Sequence, residues 1–212
     1  MMSLNIPADF FPDLFAGMAV NFEIAAIALV IGLALGGLLA LGRLSGGTTG
    51  AVASTLIGLM RAAPTFVVMF FLLNIIPRDA TLFGVGVTPS PLMIVALSLV
   101  PYSASYVADN GAEALKQLRA GSPLGALQFL PNVTRAFFVL VMSSSAGAAI
   151  GVTEGIAVIL REAVLLPALG DKLVLFAIGI VFFGVTLQAG FALMGLLQRH
   201  LGRLATRASA MP

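Results

Sequence analysis

Leu59 to Phe71 reads LMRAAPTFVVMFF, an arginine and a proline set inside a run that would otherwise dissolve in hydrocarbon. The surroundings say which solvent this stretch is built for. Hydrophobic residues make up 59% of the 212 and charged residues 9%, where a soluble domain carries roughly a quarter charged residues. Mean hydropathy is +1.08. The chain is a membrane protein by composition, and the question becomes why a bilayer tolerates Arg61 and Pro64.

A spanning helix needs about 20 mostly apolar residues, and five segments qualify. They run at about 14–42, 51–76, 91–108, 136–160 and 173–197, within a single transmembrane domain over 1–212. A longer loop joins the third and fourth spans at about 109–135. Basic residues collect on the cytoplasmic side. Arg43, then Lys116, Arg119 and Arg135, then Arg199, Arg203 and Arg207 fall on one side, facing Arg78 and Lys172 on the other. The expected topology is N-out and C-in. The start of the chain lacks a basic segment followed by a short apolar stretch and a small-residue cleavage site, so no cleaved signal peptide is expected.

Several classes are excluded early. The net charge of +2 comes without a basic stripe or aromatic platform, which speaks against nucleic acid as a partner. Cysteine is absent, removing disulfide and thiol chemistry. No metal-ligand cluster and no nucleophile–base pair stands out, so the expectation is a non-enzyme without metal or bound cofactor, surrounded by membrane lipid.

Small residues recur at four-residue spacing in two places: Gly32, Gly36 and Ala40 in the first span, and Ser143, Gly147, Gly151 and Gly155 in the fourth. Such stripes let backbones approach closely in lipid. They are expected to pack within one bundle, or in part against a second membrane subunit. Five slim helices are few for building a pathway alone, which favours a dimeric assembly.

A charge in the bilayer centre costs at least about 2.5–3.5 kcal/mol on insertion scales and therefore faces a cavity or a partner. Arg61 lies about ten residues from the inner end of its span, about 15 Å at the helical rise, which predicts a position near mid-membrane. Pro64 lacks an N–H and clashes with the carbonyl of Met60, so the helix should kink or unwind beside the arginine. Freed carbonyls survive at depth only against protein or water. Arg61 then either lines a midplane site of the kind transporters build from broken helices, or pairs with Glu23, Glu154 or Glu162. Glu154 is the deeper acid and a cavity candidate. Arg161 and Glu162 are adjacent and can pair with each other or meet a zwitterionic ligand. Arg61, Pro64, Glu154, Arg161 and Glu162 are the substrate-pathway candidates.

At RAAPTFVVMFFLLNIIP the chain resembles the permeases of ATP-binding-cassette (ABC) importers for polar amino acids, the histidine/glutamine permease type. That family carries Arg-x-x-Pro in its second span, followed by an apolar run ending in Leu-Pro; here Arg61, Pro64 and Ile76-Pro77 match. Gly17 and Asn21 stand at the family's early glycine and a usual threonine. Tyr106 to Asp109, YVAD, is similar to Tyr-x-Ala-Glu. A gapless reading places Gly121 on the glycine before the cytoplasmic loop and LREAVLL, Leu160 to Leu166, on Leu-Lys-Asp/Glu-x-Ser-Leu. The likeness covers about residues 14–200. It implies an all-α, type I importer permease core in the bacterial cytoplasmic (inner) membrane, paired with a second permease. It further implies a dimer of ATPase subunits using ATP and Mg, and an extracytoplasmic solute-binding protein.

One departure stands out. The family's cytoplasmic loop carries Glu-Ala-Ala-x-x-x-Gly, and here Leu124, Gly125 and Ala126 occupy the first three positions and Leu130 the glycine. A competing register puts Ala112-Glu113-Ala114 there but displaces Gly121. Gly121, Ser122, Pro123, Leu124, Gly125, Ala126, Leu130 and Pro131 form the candidate ATPase-coupling loop. The chain holds no Gly-rich phosphate loop of its own. The leading expectation is a permease subunit of an amino-acid importer. A carrier or channel independent of ATP, and an assembly-type half-permease supporting an active partner, are the alternatives.

Overall fold

The computed structural model describes residues 7–77, 81–82, 85–86, 89–122 and 126–209. Among the described residues the structure is helical apart from a two-residue antiparallel pairing of β1 (Thr81–Leu82) with β2 (Val85–Gly86). The helices are α1 (Phe10–Leu44), α2 (Gly47–Ala62), α3 (Thr65–Ile75), α4 (Pro91–Arg119), α5 (Phe129–Ser143), α6 (Gly155–Leu165) and α7 (Leu169–Ser209), with a 3₁₀ segment at Ser144–Ile150. Among the described residues, four stretches have the length and apolarity to cross a membrane: α1, α4, Phe129–Ile150 and α7. The α2–α3 pair makes a fifth if taken as one broken span.

α1 and α4 are the spine. Gly32 of α1 sits against Ser103 of α4, Gly36 against Ala104 and Val107, and Ala40 against Gly111. The numbers rise together, so the two helices run parallel, and the glycines bring the backbones into contact. α4 begins cleanly because Ser90 accepts from the Met93 N–H and Pro91 needs no partner for its missing one. The core gathers around this pair, with Ile24, Ala25, Ala28, Val95, Leu99, Leu140 and Val141 buried. α7 lies outermost: 11% of its apolar window is buried, against 61% for α4. Its remaining surface is suited to lipid or to another subunit.

Three expected spans are redrawn. The second is two helices bent by 95° at Ala63–Pro64, both residues being extended. Both halves pack against α4, and α3 places Met69 in the core. Its 11 residues reach about 16 Å, half of a hydrocarbon core. The fourth span starts seven residues before Ala136, at Phe129, and breaks at 151–154 instead of continuing to 160. Much of the 109–135 loop is helix, because α4 continues to Arg119 and α5 begins at Phe129.

Gly121 ends α4. With φ +76 it takes the left-handed turn; its N–H reaches Leu118 O, and Ser122 N–H reaches Gln117 O. That double return is a Schellman cap, which favours glycine because no Cβ obstructs the turn.

Candidate functional site

Three polar constellations hold the apolar bundle together, and they lie at different heights along α1. At one end Arg161 of α6 bonds Asp13 of α1 at 2.5 Å and Glu162 at 3.0 Å. At the other end Asp109 of α4 is shared by two arginines. Its Oδ1 accepts from Arg43 Nη1 at 2.7 Å, and its Oδ2 accepts from Arg61 Nη2. Asp13 and Arg43 stand roughly thirty residues apart on α1, about 45 Å at the helical rise. That distance exceeds a hydrocarbon core of about 30 Å, so the two charged clusters bracket the apolar belt.

Between them lies a fully buried node. The Asn21 Nδ2 group donates to Ser144 Oγ at 2.8 Å and to Glu154 Oε2 at 2.9 Å, while Asn21 Oδ1 accepts from the Gly155 N–H at 3.0 Å. Glu154 is the N-cap of α6. Its Oε2 also accepts from Ile156 N–H (3.0 Å) and its Oε1 from Ala157 N–H (2.9 Å). The Ser144 hydroxyl in turn donates to Val141 O. Every partner of the Glu154 carboxylate is a donor, and the N-terminal end of α6 adds its positive dipole. The arrangement suits a carboxylate that accepts only.

The node explains the interruption of the fourth span. Gly151 takes φ +86 and Val152 N–H returns to Gly147 O, which turns the chain so that Glu154 can cap α6. Ser143, Gly147, Gly151 and Gly155 therefore do not form one helix stripe. Gly147 lies against Val152 and Val95, Gly155 against Phe183 and Asn21, and Gly151 faces open space.

The substrate-pathway candidates are thus dispersed. Arg61 is not deep in a straight span: the 95° bend brings it beside Asp109 and Arg43, its side chain 60% exposed. Its partner is Asp109 rather than Glu23, Glu154 or Glu162. Pro64 sits at the joint three residues beyond. Glu154 is fully buried, its carboxylate held by the Asn21, Ile156 and Ala157 N–H groups. Arg161 and Glu162 belong to the Asp13 cluster. Asn21, Ser144 and the double role of Asp109 were missed, although Asn21 and Asp109 were singled out as motif positions. Nothing in a single sequence pairs residues more than a hundred positions apart.

Two further features adjoin these. A groove of about 620 Å³ between α5, α6 and α7 is apolar, lined by Met142, Ile156, Phe176 and Phe183 among others, with Ser145 at one corner near the Asn21 amide. At the Arg43 end, a polar groove of about 180 Å³ separates the last turns of α4 from the start of α5, lined by Asn110, Glu113, Gln117, Gln128 and Asn132. Asn132 ties the two helices by donating to Asn110 Oδ1 at 2.7 Å. Of the coupling-loop candidates, Gly121, Ser122 and Ala126 lie between α4 and α5, and Leu130 and Pro131 in the first turn of α5. Pro123, Leu124 and Gly125 are outside the described residues.

No family model matches the sequence, and no curated protein matches it. The fold does have a solved counterpart. The crystal structure of an amino acid ABC transporter with histidines superposes with a TM-score of 0.67 at 18% identity, covering 91% of this chain and 95% of that one. The protein is a multi-pass helical membrane protein, and its fold is that of this amino acid ABC transporter chain.

Proposed function

We propose that the chain is a transmembrane permease subunit of an ABC importer for a polar amino acid or a similar small zwitterion. The observation that carries this reading is the fold likeness over nine-tenths of both chains, alongside the Arg61–Pro64 and Tyr106–Asp109 motifs in their family order. In this reading the Asp13 end is extracytoplasmic and the Arg43 end cytoplasmic, five spans cross the bacterial inner membrane, and a second permease completes the pathway. A solute-binding protein delivers the substrate from outside.

ATP and Mg are used by a partner ATPase, and this subunit supplies no catalytic residue. Coupling falls to the short segment between α4 and α5 and the helix turns flanking it, where Leu118, Leu127 and Leu130 are exposed. In this reading these leucines supply the apolar part of the ATPase contact. Arg161 and Glu162 are the substrate-facing pair this reading retains. Arg61 with Pro64 shapes the broken second span, and Glu154 fixes the break in the fourth.

The first test is purification of the tagged protein from its native host in mild detergent. An ATPase subunit that co-purifies, and amino-acid uptake into proteoliposomes driven by ATP, support the importer. A homo-oligomer without an ATPase across several detergents points to a carrier independent of ATP. The absent Glu-Ala-Ala acid favours one second reading, an assembly half-permease. Grafting a family-typical loop over Ser122 to Asn132 and finding ATP hydrolysis rise from a negligible base would support it.

A further inference from the structure

We propose that the groove between α5, α6 and α7 takes the side chain of an apolar amino acid about the size of leucine, with Glu162 holding its ammonium and Lys172 its carboxylate. This rests on the importer reading and narrows the solute to zwitterions with an apolar side chain.

The glycines fix the register of α6 against α7. A Cβ on Gly155 would stand 2.7 Å from Phe183 Cζ, and one on Gly179 would stand 2.4 Å from Ile159 Cδ1. Four residues up α6 match four residues down α7, so the two helices run antiparallel. The same register sets Glu162 opposite Phe176. Ile159 and Phe176 both line the groove. Glu162 follows Ile159 by three residues and Lys172 precedes Phe176 by four, spacings that keep neighbours on one helix face. A carboxylate and an ammonium therefore stand at the same end of the groove, about 6 Å apart along the helices. The Glu162 side chain is 11% exposed, and its Oε1 accepts from Arg161 Nε at 3.0 Å, which leaves Oε2 for a ligand. Among the described residues Lys172 is in no ion pair. Two opposite charges so spaced match the two charges of an amino acid.

The rest of the groove selects the side chain. Met142, Ile156, Ile159, Phe176, Phe183 and Leu187 wall a space of about 620 Å³. Ser145 lies at the Gly155 end, where Asn21 Nδ2 already approaches its hydroxyl at 3.4 Å. Behind it, Asn21, Ser144 and Glu154 are committed to one another and to backbone N–H groups. A polar side chain entering the groove exchanges its water for one hydroxyl, which is unfavourable. An apolar one gains with every methylene it buries. The groove thus favours leucine, isoleucine, methionine or phenylalanine over glutamine, histidine or arginine. Gly184 also lines it, and a Cβ there would meet nothing within 4 Å, so this wall can be built inwards without a clash at its base.

The test is equilibrium binding of radiolabelled leucine to the complex purified from its native host, in lipid nanodiscs and without a solute-binding protein, so that only the transmembrane site reports. ATP-driven uptake of the same solutes into proteoliposomes is measured alongside. Leucine is expected to bind at least about tenfold more tightly than alanine. Isoleucine, methionine and phenylalanine displace it, whereas glutamine, histidine and arginine do not. E162Q weakens leucine binding by roughly tenfold or more through the lost charge. G184F weakens it as much by filling the groove, and G37A on α1 leaves it unchanged. Should E162Q fail to fold, G184F, which breaks no side-chain bond, still decides the matter. A complex that takes up glutamine, histidine or arginine with ATP and binds no leucine overturns the proposal and leaves the importer standing. Leucine binding untouched by both E162Q and G184F overturns it as well, as does a phospholipid that stays bound through purification, is lost in G184F and excludes leucine. Leucine binding with the expected sensitivities, but without ATP-driven uptake of any solute, keeps the site and overturns the importer reading alone.

Discussion

Asn21 and Glu154 are 133 positions apart and joined by a 2.9 Å hydrogen bond that no solvent reaches. The bond matters because each residue also serves the backbone of the interrupted fourth span. Asn21 holds Gly155 N–H and Ser144 Oγ, and Glu154 caps α6. Replacing Asn21 by Ala strands a backbone donor and removes one donor from a buried carboxylate. A buried group left unsatisfied costs about 1–3 kcal/mol. N21A is therefore expected to lower the thermal midpoint in detergent markedly, with N21D at least as damaging because it faces Glu154 with a second carboxylate.

The same geometry makes Glu154→Gln a poor mimic. The carboxylate accepts three N–H bonds over both oxygens, and an amide offers one acceptor oxygen and turns N–H towards another N–H. E154Q is expected to cost about 1–3 kcal/mol, while E154D, which keeps a capping carboxylate, costs less. Chemical unfolding of the purified variants measures the order. An E154Q protein as stable as the unmutated one would return Glu154 to the list of groups free to meet substrate.

How far the sequence led is clearest at Pro64 and Gly151. Pro64 announced its break, since proline removes a helix bond wherever it stands. The 95° angle was not legible, because it depends on how α2 and α3 each find α1 and α4. The sequence therefore left Arg61 near mid-membrane, lining a site or pairing with Glu23, Glu154 or Glu162, whereas it pairs with Asp109, in view only as a motif residue. Gly151 announced nothing. A glycine among small residues in an apolar run reads as a packing stripe, and only the left-handed φ and the return of Val152 to Gly147 reveal a turn. The likeness through the spans survived these errors because span order and apolarity set the fold.

Ser103 of α4 carries the buried side-chain oxygen without a partner among the described residues. Removing a stranded hydroxyl relieves its desolvation without breaking any bond. S103A is expected to leave stability unchanged or raise it by up to about 1 kcal/mol, measured as thermal midpoint. A clear loss would mean that the hydroxyl has a partner here, such as a buried water.

Adjacent glycines on α1 provide the sharpest contrast. A Cβ on Gly36 would stand 2.5 Å from Ala104 O and 2.7 Å from Val107 Cβ, whereas one on Gly37 meets nothing within 4 Å. The Ala104 carbonyl belongs to the α4 backbone and cannot retreat alone, so G36A must push α1 and α4 apart, at about 1–3 kcal/mol for overpacking. G37A adds a methyl group to open space and gains the helix preference of alanine over glycine, up to about 1 kcal/mol. The two variants should move the thermal midpoint in opposite directions. Equal effects would show that α1 and α4 do not meet at Gly36, and the spine on which both charged clusters are mounted would have to be redrawn.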